Sequence, residues 1–243
     1  MVLARSLLPA ASARRRRVPT ASPPGGLLGV APLVLPVFPL PELTFFPHTL
    51  LPLHVFEARY RAMVTDALSR DKQLALVGLK PGYEATYAGR PPVYAVAGVG
   101  EIVRWERLPT GRYNILLRGA ARARIEREIP ADTLYRLVAL RRLDEVPPTG
   151  DARPRVERIR VLCRRLLVAL GRPRQLLDEM LRDGQPPGAV ADQVASAVIP
   201  APALRQELLE TLDVDRRLER VAAALEELVR HIRGARDPGD RPR

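Results

Sequence analysis

The run Ala121-Arg122-Ala123-Arg124-Ile125-Glu126-Arg127-Glu128 decides how the chain is read. Ala121, Ala123 and Ile125 alternate with Arg122, Arg124, Glu126 and Glu128. A period of two is the pattern of a β-strand, here with one small apolar face and one charged face. Upstream, Pro109-Thr110-Gly111 is a turn, so Val93–Leu108 and Arg112–Leu117 are expected to form a hairpin. Gly98 and Gly100 mark a bulge or a close backbone approach within it. Downstream, Tyr135–Leu143 reads as a further strand. Further back, Gln73–Leu79 is a short strand ended by Lys80-Pro81-Gly82, and Leu33–Phe38 is a strand cut by Pro36. Phe56, Tyr60, Met63, Val64, Ala67 and Leu68 recur at helical spacing, so one helix interrupts the strands.

The pattern changes at Asp144–Pro154, where Pro147-Pro148-Thr149-Gly150 acts as a hinge. Beyond it Val156, Ile159, Leu162, Cys163, Leu166, Leu167 and Leu170 form an apolar helical stripe that ends at Gly171 and Pro173. Leu176–Leu181, Val190–Val198 and Leu204–Leu212 suggest three shorter helices. Asp213 is placed to cap a long last helix with the stripe Val214, Leu218, Val221, Leu225, Leu228 and Ile232. The expected organisation is α+β: a tail over 1–30, a β-rich part over 31–146, a helical part over 151–233 and a second tail over 234–243.

The chain has 243 residues and a formal net charge of +12. Residues 1–30 hold five arginines and no acid, and residues 231–243 hold four arginines against Asp237 and Asp240, so the ends carry most of the excess. Apart from Lys72 and Lys80, every one of the 39 basic residues is Arg, a bias that raises net charge without implying a partner. The first 30 residues contain Arg14–Arg17 and five Pro or Gly between Pro19 and Gly26. They are compatible with a solvated tail, an early start codon or an Arg-rich transit peptide; for a signal peptide the basic residues stand on the wrong side of the apolar run. No stretch reaches the roughly 18 uncharged apolar residues of a spanning helix.

The chemistry-bearing residues are few. No Gly-rich loop ends in Lys followed by Ser or Thr, so no P-loop is expected, and the two lysines are poorly placed for a Ser–Lys dyad. Cys163 sits on an apolar stripe and reads as a small buried hydrophobe. His48 and His54 with Glu57 are conceivable metal ligands, but a structural or surface role accounts for them. Asp132, Asp144 and Glu145 flank turns and strand ends, where acids cap backbones or face water. Arg153, Arg155, Arg158, Arg160, Arg164 and Arg165 could form a basic helix face for nucleic acid, or a solvated face. No catalytic, cofactor-binding or metal residue is assigned, and no polypeptide-binding residue can be named.

Several runs resemble the substrate-binding, N-terminal domain of the Lon protease family, and more closely the stand-alone bacterial proteins that carry this domain alone. Leu35-Pro36-Val37-Phe38-Pro39-Leu40 leads to Phe46-Pro47, then Leu51-Pro52-Leu53-His54-Val55-Phe56-Glu57 and Arg59-Tyr60-Arg61-Ala62-Met63. Val99-Gly100-Glu101-Ile102, Leu108-Pro109-Thr110-Gly111-Arg112-Tyr113 and Leu117-Arg118-Gly119 follow. In the helical half the matching runs are Ala191-Asp192-Gln193-Val194-Ala195, Gln206-Glu207-Leu208-Leu209-Glu210 and Asp213-Val214-Asp215-Arg216-Arg217-Leu218. Ala97 and Ala123 depart from the usual Gly and aromatic. The resemblance implies a PUA-like pseudo-barrel with one inserted helix, followed by a C-terminal helical bundle. It also implies a cytoplasmic, ATP-independent, proteolysis-related module without catalysis or cofactor, binding unfolded or tagged polypeptide clients or a protease or chaperone partner. The alternative is an RNA- or other nucleic-acid-binding protein, since PUA-like barrels often bind RNA; 5% aromatic residues leave few stacking platforms for it.

Overall fold

The computed structural model describes residues 33–87 and 89–236. The proposed tail over 1–30 lies outside the described residues. Six strands are present: β1 (Leu33–Leu40), β2 (Leu50–Val55), β3 (Gln73–Gly78), β4 (Val96–Arg107), β5 (Tyr113–Ile129) and β6 (Arg136–Leu143). The sheet order is β2-β5-β4-β3-β1-β6, and β5 also pairs with β6, so five strands close into a circuit with β2 outside it. The 17-residue β5 makes this possible. Its first part pairs with β2, and from Arg122 onward it pairs with β6. The sequence reading split this strand in two; Gly119 does not break it. β1 and β3 run parallel, which requires a crossover, and helix α1 (Ala58–Leu68) lies in it.

The strands bury both faces. Leu35, Val37, Ala75, Val77, Ala97, Val99, Ala123, Val138 and Leu140 form one apolar cluster. Ala97 stands opposite Ala123 in the β4–β5 register, so the two small side chains meet in that cluster. Leu74, Leu76, Ile102, Ile115 and Leu117 belong to a second cluster, closed by Tyr60, Met63, Val64 and Ala67 of α1. Their spacing of three and four puts them on one helix face. Phe56, expected on that stripe, precedes the helix and is exposed. Pro36 does not cut β1. It pairs with β6 only, and Pro39 with β3 only, so each missing N–H can face the side without a partner strand.

Phe45 and Phe46 are pressed against the β4–β5 backbone. A Cβ on Gly98 would lie 1.9 Å from the Phe45 carbonyl oxygen, and one on Gly119 2.0 Å from that of Phe46. The close approach foreseen at Gly98 and Gly100 is therefore real, and a register shift falls between Val99 and Gly100 as well.

The helices that follow are α2 (Arg153–Ala169), α3 (Gln175–Met180), α4 (Pro187–Val198), α5 (Pro202–Glu210) and α6 (Val214–Arg236). Prolines open α2, α4 and α5, where the first N–H groups need no helical partner. Asp213 caps α6, its Oδ1 accepting the Arg216 N–H at 2.9 Å. α6 continues through Gly234 to Arg236. Leu218, Val221 and Leu225 of α6 share one core with Ile159 and Leu162 of α2 and Val190 and Val194 of α4. Phe46 and Val96 belong to the same core, so helices and sheet form one compact unit. The Pro147–Gly150 hinge is tied down: the Thr149 backbone N–H and hydroxyl both donate to Asp215, holding its carboxyl below the usual range.

Candidate functional site

The residues weighed from sequence do not assemble into a reactive centre. Cys163 is 3% exposed, and burial pushes its thiol up to about 12. His54 Nδ1 lies 2.8 Å from Asn114 Oδ1, and its ring stacks on Phe56. Glu57 pairs with Arg59 at 3.0 Å and accepts from the Tyr87 hydroxyl, while the His48 carbonyl accepts from Gln193. Among the described residues no group of three His, Cys, Asp or Glu side chains is placed to hold a metal ion. Lys72 Nζ sits 4.5 Å over the Trp105 ring, a cation–π contact. Asp144 is almost fully exposed beside Arg142. Arg153, Arg155, Arg158, Arg160 and Arg164 are paired with Asp151, Asp215, Glu226, Asp183 and Glu157 at 2.7–3.2 Å. Arg165, the sixth of that row, has no acid partner among the described residues, so the row is largely neutralised rather than a continuous basic face.

The strongest electrostatic feature was not foreseen. Arg122, expected on a charged strand face, is 1% exposed. Its Nη2 lies 2.5 Å from Asp192 Oδ1 and its Nη1 donates to Asp192 Oδ2 at 3.0 Å and to Glu145 Oε1 at 2.8 Å. Its Nε donates to the Leu209 carbonyl at 2.9 Å. Arg217 completes the group, with Nη2 2.5 Å from Glu145 Oε1 and Nη1 donating to the Thr211 carbonyl. Its Nε lies 3.2 Å from Asp192 Oδ1 without hydrogen-bond geometry. Glu145 is thus an ion-pair partner of two buried arginines, not merely an acid at a strand end. Burial pushes the Asp192 carboxyl up, against the pull of Arg122 and Arg217. Two guanidinium groups and two carboxylates make a neutral quartet spanning β5, the hinge, α4 and α6. A sequence signal existed. Asp192 falls four residues after Gly188 and three before Ala195, and Arg217 falls between Val214 and Val221, so both charges sit on apolar helix faces.

The surface offers a different feature. Among the described residues β2 pairs on one side only, with β5. Leu50, Pro52 and His54 alternate outward along it, and Phe56 follows; Leu50 is 62% and Phe56 59% exposed. At its Leu50 end this edge opens into a cleft of about 450 Å³. The segment His48–Leu50 forms one wall of the cleft, and Met180, Gln193 and Ser196 are among the residues of the other. The sequence reading missed β2 because Pro52 interrupts its apolar run; proline in a strand is the mark of an edge.

Fold and surface together define a class: an α+β domain that offers a free strand edge and a cleft, with no assembled nucleophile, base or metal-ligand set among its described residues. The profile of the ATP-dependent protease La (LON) substrate-binding domain matches residues 34–227, and the chain belongs to that family. It is 30% identical over 197 residues to Lon protease 2 of Bdellovibrio bacteriovorus, covering 78% of this chain and 24% of that protein. It is 29% identical over 215 residues to Lon protease 2 of Myxococcus xanthus, covering 86% and 25%. The chain thus spans about a quarter of the length of the curated relatives it matches. In fold it is similar to the N-terminal domain of Mycobacterium avium complex Lon protease, with TM-score 0.63 and 21% identity over 80% of this chain and 99% of that one. It is also similar to the Lon N-terminal domain protein of Xanthomonas campestris, with TM-score 0.58 and 24% identity over 79% and 98%. Among the described residues no helix is long and apolar enough to cross a membrane.

Proposed function

We propose that the chain is a non-catalytic, ATP-independent module that binds unfolded or tagged polypeptide in bacterial protein quality control, in the cytoplasm. In this reading the closed strand circuit is a PUA-like pseudo-barrel and the helices form a bundle behind it. Its clients are extended segments, or a protease or chaperone partner that presents them. The observation that carries the reading is the edge of β2 left unpaired among the described residues, flanked by exposed Leu50 and Phe56 and opening into the cleft beside α4. An extended client can add main-chain hydrogen bonds to such an edge whatever its sequence, while apolar side chains supply area. The test is fluorescence anisotropy with labelled, reduced and carboxymethylated lactalbumin, which cannot fold. The whole chain should bind it and ignore the native protein, with affinity little changed between 50 and 200 mM salt. Replacing Leu50 and Phe56 together by Lys should weaken binding at least tenfold and leave the melting temperature unchanged. Absence of client binding, or tight RNA binding at 200 mM salt instead, overturns the proposal.

A further inference from the structure

We infer that the chain also binds the C-terminal carboxylate of its client, in a cavity between β1, the start of α1 and the start of β6. The inference rests on the proposed polypeptide binding and names the part of the client that is read. The cavity measures about 260 Å³. Arg59 of α1, Arg136 of β6, and Arg90 and Leu134 from loops are among the residues that line it. Among the described residues, the charged groups of the lining are three guanidiniums and no carboxylate. Two acids outside the lining neutralise them in part. Glu57 pairs with Arg59 at 3.0 Å, and Glu128 pairs with Arg90 at 2.9 Å and also with Arg136. Three positive charges against these two negative ones leave an excess of one.

The chemistry of the ligand follows from the lining. An excess of one positive charge is balanced by a monoanion, and the planar fork of arginine matches a carboxylate. All three guanidinium side chains keep surface for it: Arg59 is 23%, Arg90 69% and Arg136 13% exposed. Two of them are also held in place. Arg136 donates to the Pro91 carbonyl at 3.0 Å, and Arg59 lies over the Tyr60 ring at 4.6 Å. Little side-chain freedom is then lost on binding. Leu134, 71% exposed, adds an apolar wall beside the charges. A carboxylate joined to an apolar group is what the last residue of a polypeptide presents, and its carboxyl is ionised at pH 7. Arg59 stands three residues past Phe56, at most about 11 Å along the chain, so a client lying on the edge of β2 can reach the cavity with its end.

The experiment uses the whole chain and a twelve-residue peptide of serine, glutamine and leucine that ends in leucine, labelled with fluorescein at its N-terminus. A second peptide differs only in ending as the amide. Anisotropy titrations should show the amide binding roughly tenfold more weakly than the acid, the effect of one lost charge-assisted hydrogen bond. Arg90→Gln should weaken the acid severalfold and shrink the gap between acid and amide, because the excess charge leaves with it. Arg90 is chosen because it is the most exposed of the three arginines. N-acetylleucine should displace the acid peptide, whereas N-acetylleucine amide and inorganic phosphate at the same concentration should not. Equal affinity for acid and amide, a gap unchanged in Arg90→Gln, or displacement by phosphate as effective as by N-acetylleucine overturns the inference while polypeptide binding stands. Failure of both peptides to bind overturns both readings.

Discussion

Arg122 of β5 grips Asp192 of α4 with two parallel hydrogen bonds, at 2.5 and 3.0 Å, and both side chains are almost fully withdrawn from solvent. The pair joins a strand to a helix 70 residues later in the chain. Its geometry is the fork-to-carboxylate match that arginine makes and lysine does not. Removing one partner strands a buried charge, whereas exposed pairs are screened by water. Asp192→Ala should therefore lower stability by about 3–5 kcal/mol in urea unfolding. Arg141→Ala, which breaks the exposed pair with Glu126, should cost under about 1 kcal/mol. Equal small effects would show that the quartet is hydrated.

Gly98→Ala and Gly119→Ala should each prevent normal folding. The added methyl would meet a backbone carbonyl, which cannot swing aside as a long side chain can. Gly234→Ala, with open space around its Cβ position in α6, should be neutral or slightly stabilising. Circular dichroism melts of the three variants make the comparison.

Stability should fall as pH rises above about 10. Burial pushes the hydroxyls of Tyr60 and Tyr135 up to about 12, and Tyr135 also donates to Asp66 at 2.7 Å. Between pH 10 and 12 the unfolded chain gives up these protons and the folded chain keeps them, so ionisation favours unfolding. The contribution is complete below pH 10 and disappears as pH climbs through 12. Tyr60→Phe should flatten the alkaline limb of stability against pH; an unchanged limb would assign it to other groups.

Cys163 should be inert to Ellman's reagent in the folded protein at pH 8. Its thiol is buried and its pKa is raised to about 12, so almost no thiolate is offered. Full reactivity should appear at the urea midpoint. Rapid labelling in native buffer would mean that α2 opens locally.

Nucleic-acid affinity should be weak and steeply salt-dependent, since five of the six α2 arginines weighed as a basic face pair with acids of the same chain. Titrating labelled RNA at 50 and 200 mM salt should show a loss of orders of magnitude. Salt-resistant binding would require a site with base contacts.

Local pattern carried the architecture. The alternation at Ala121–Glu128, the turn at Pro109–Gly111, the change from strands to helices after Leu143 and the stripe of α6 are properties of neighbours in sequence, and each appears in the structure. Binary pattern also foretold the buried Cys163 and the cap at Asp213. It misjudged Arg122, because alternation specifies which residues share a face but not what covers that face. α4 and α6 cover it, and they bring Asp192 and Arg217 from far along the chain. The same limit applies to β2. Its proline and exposed leucine weaken any local strand signal, and its pairing with β5 arises only when Leu50–Val55 meets Tyr113–Arg118. The cleft is more remote still, since His48 and Gln193 become neighbours through the packing of helix against sheet. Local sequence determined most of the segments that become strands and helices, because those choices depend on residues one to four positions apart, whereas β2 needed its partner β5. Tertiary structure alone decided which charges are buried and which surface is left open, because both depend on partners tens of residues away.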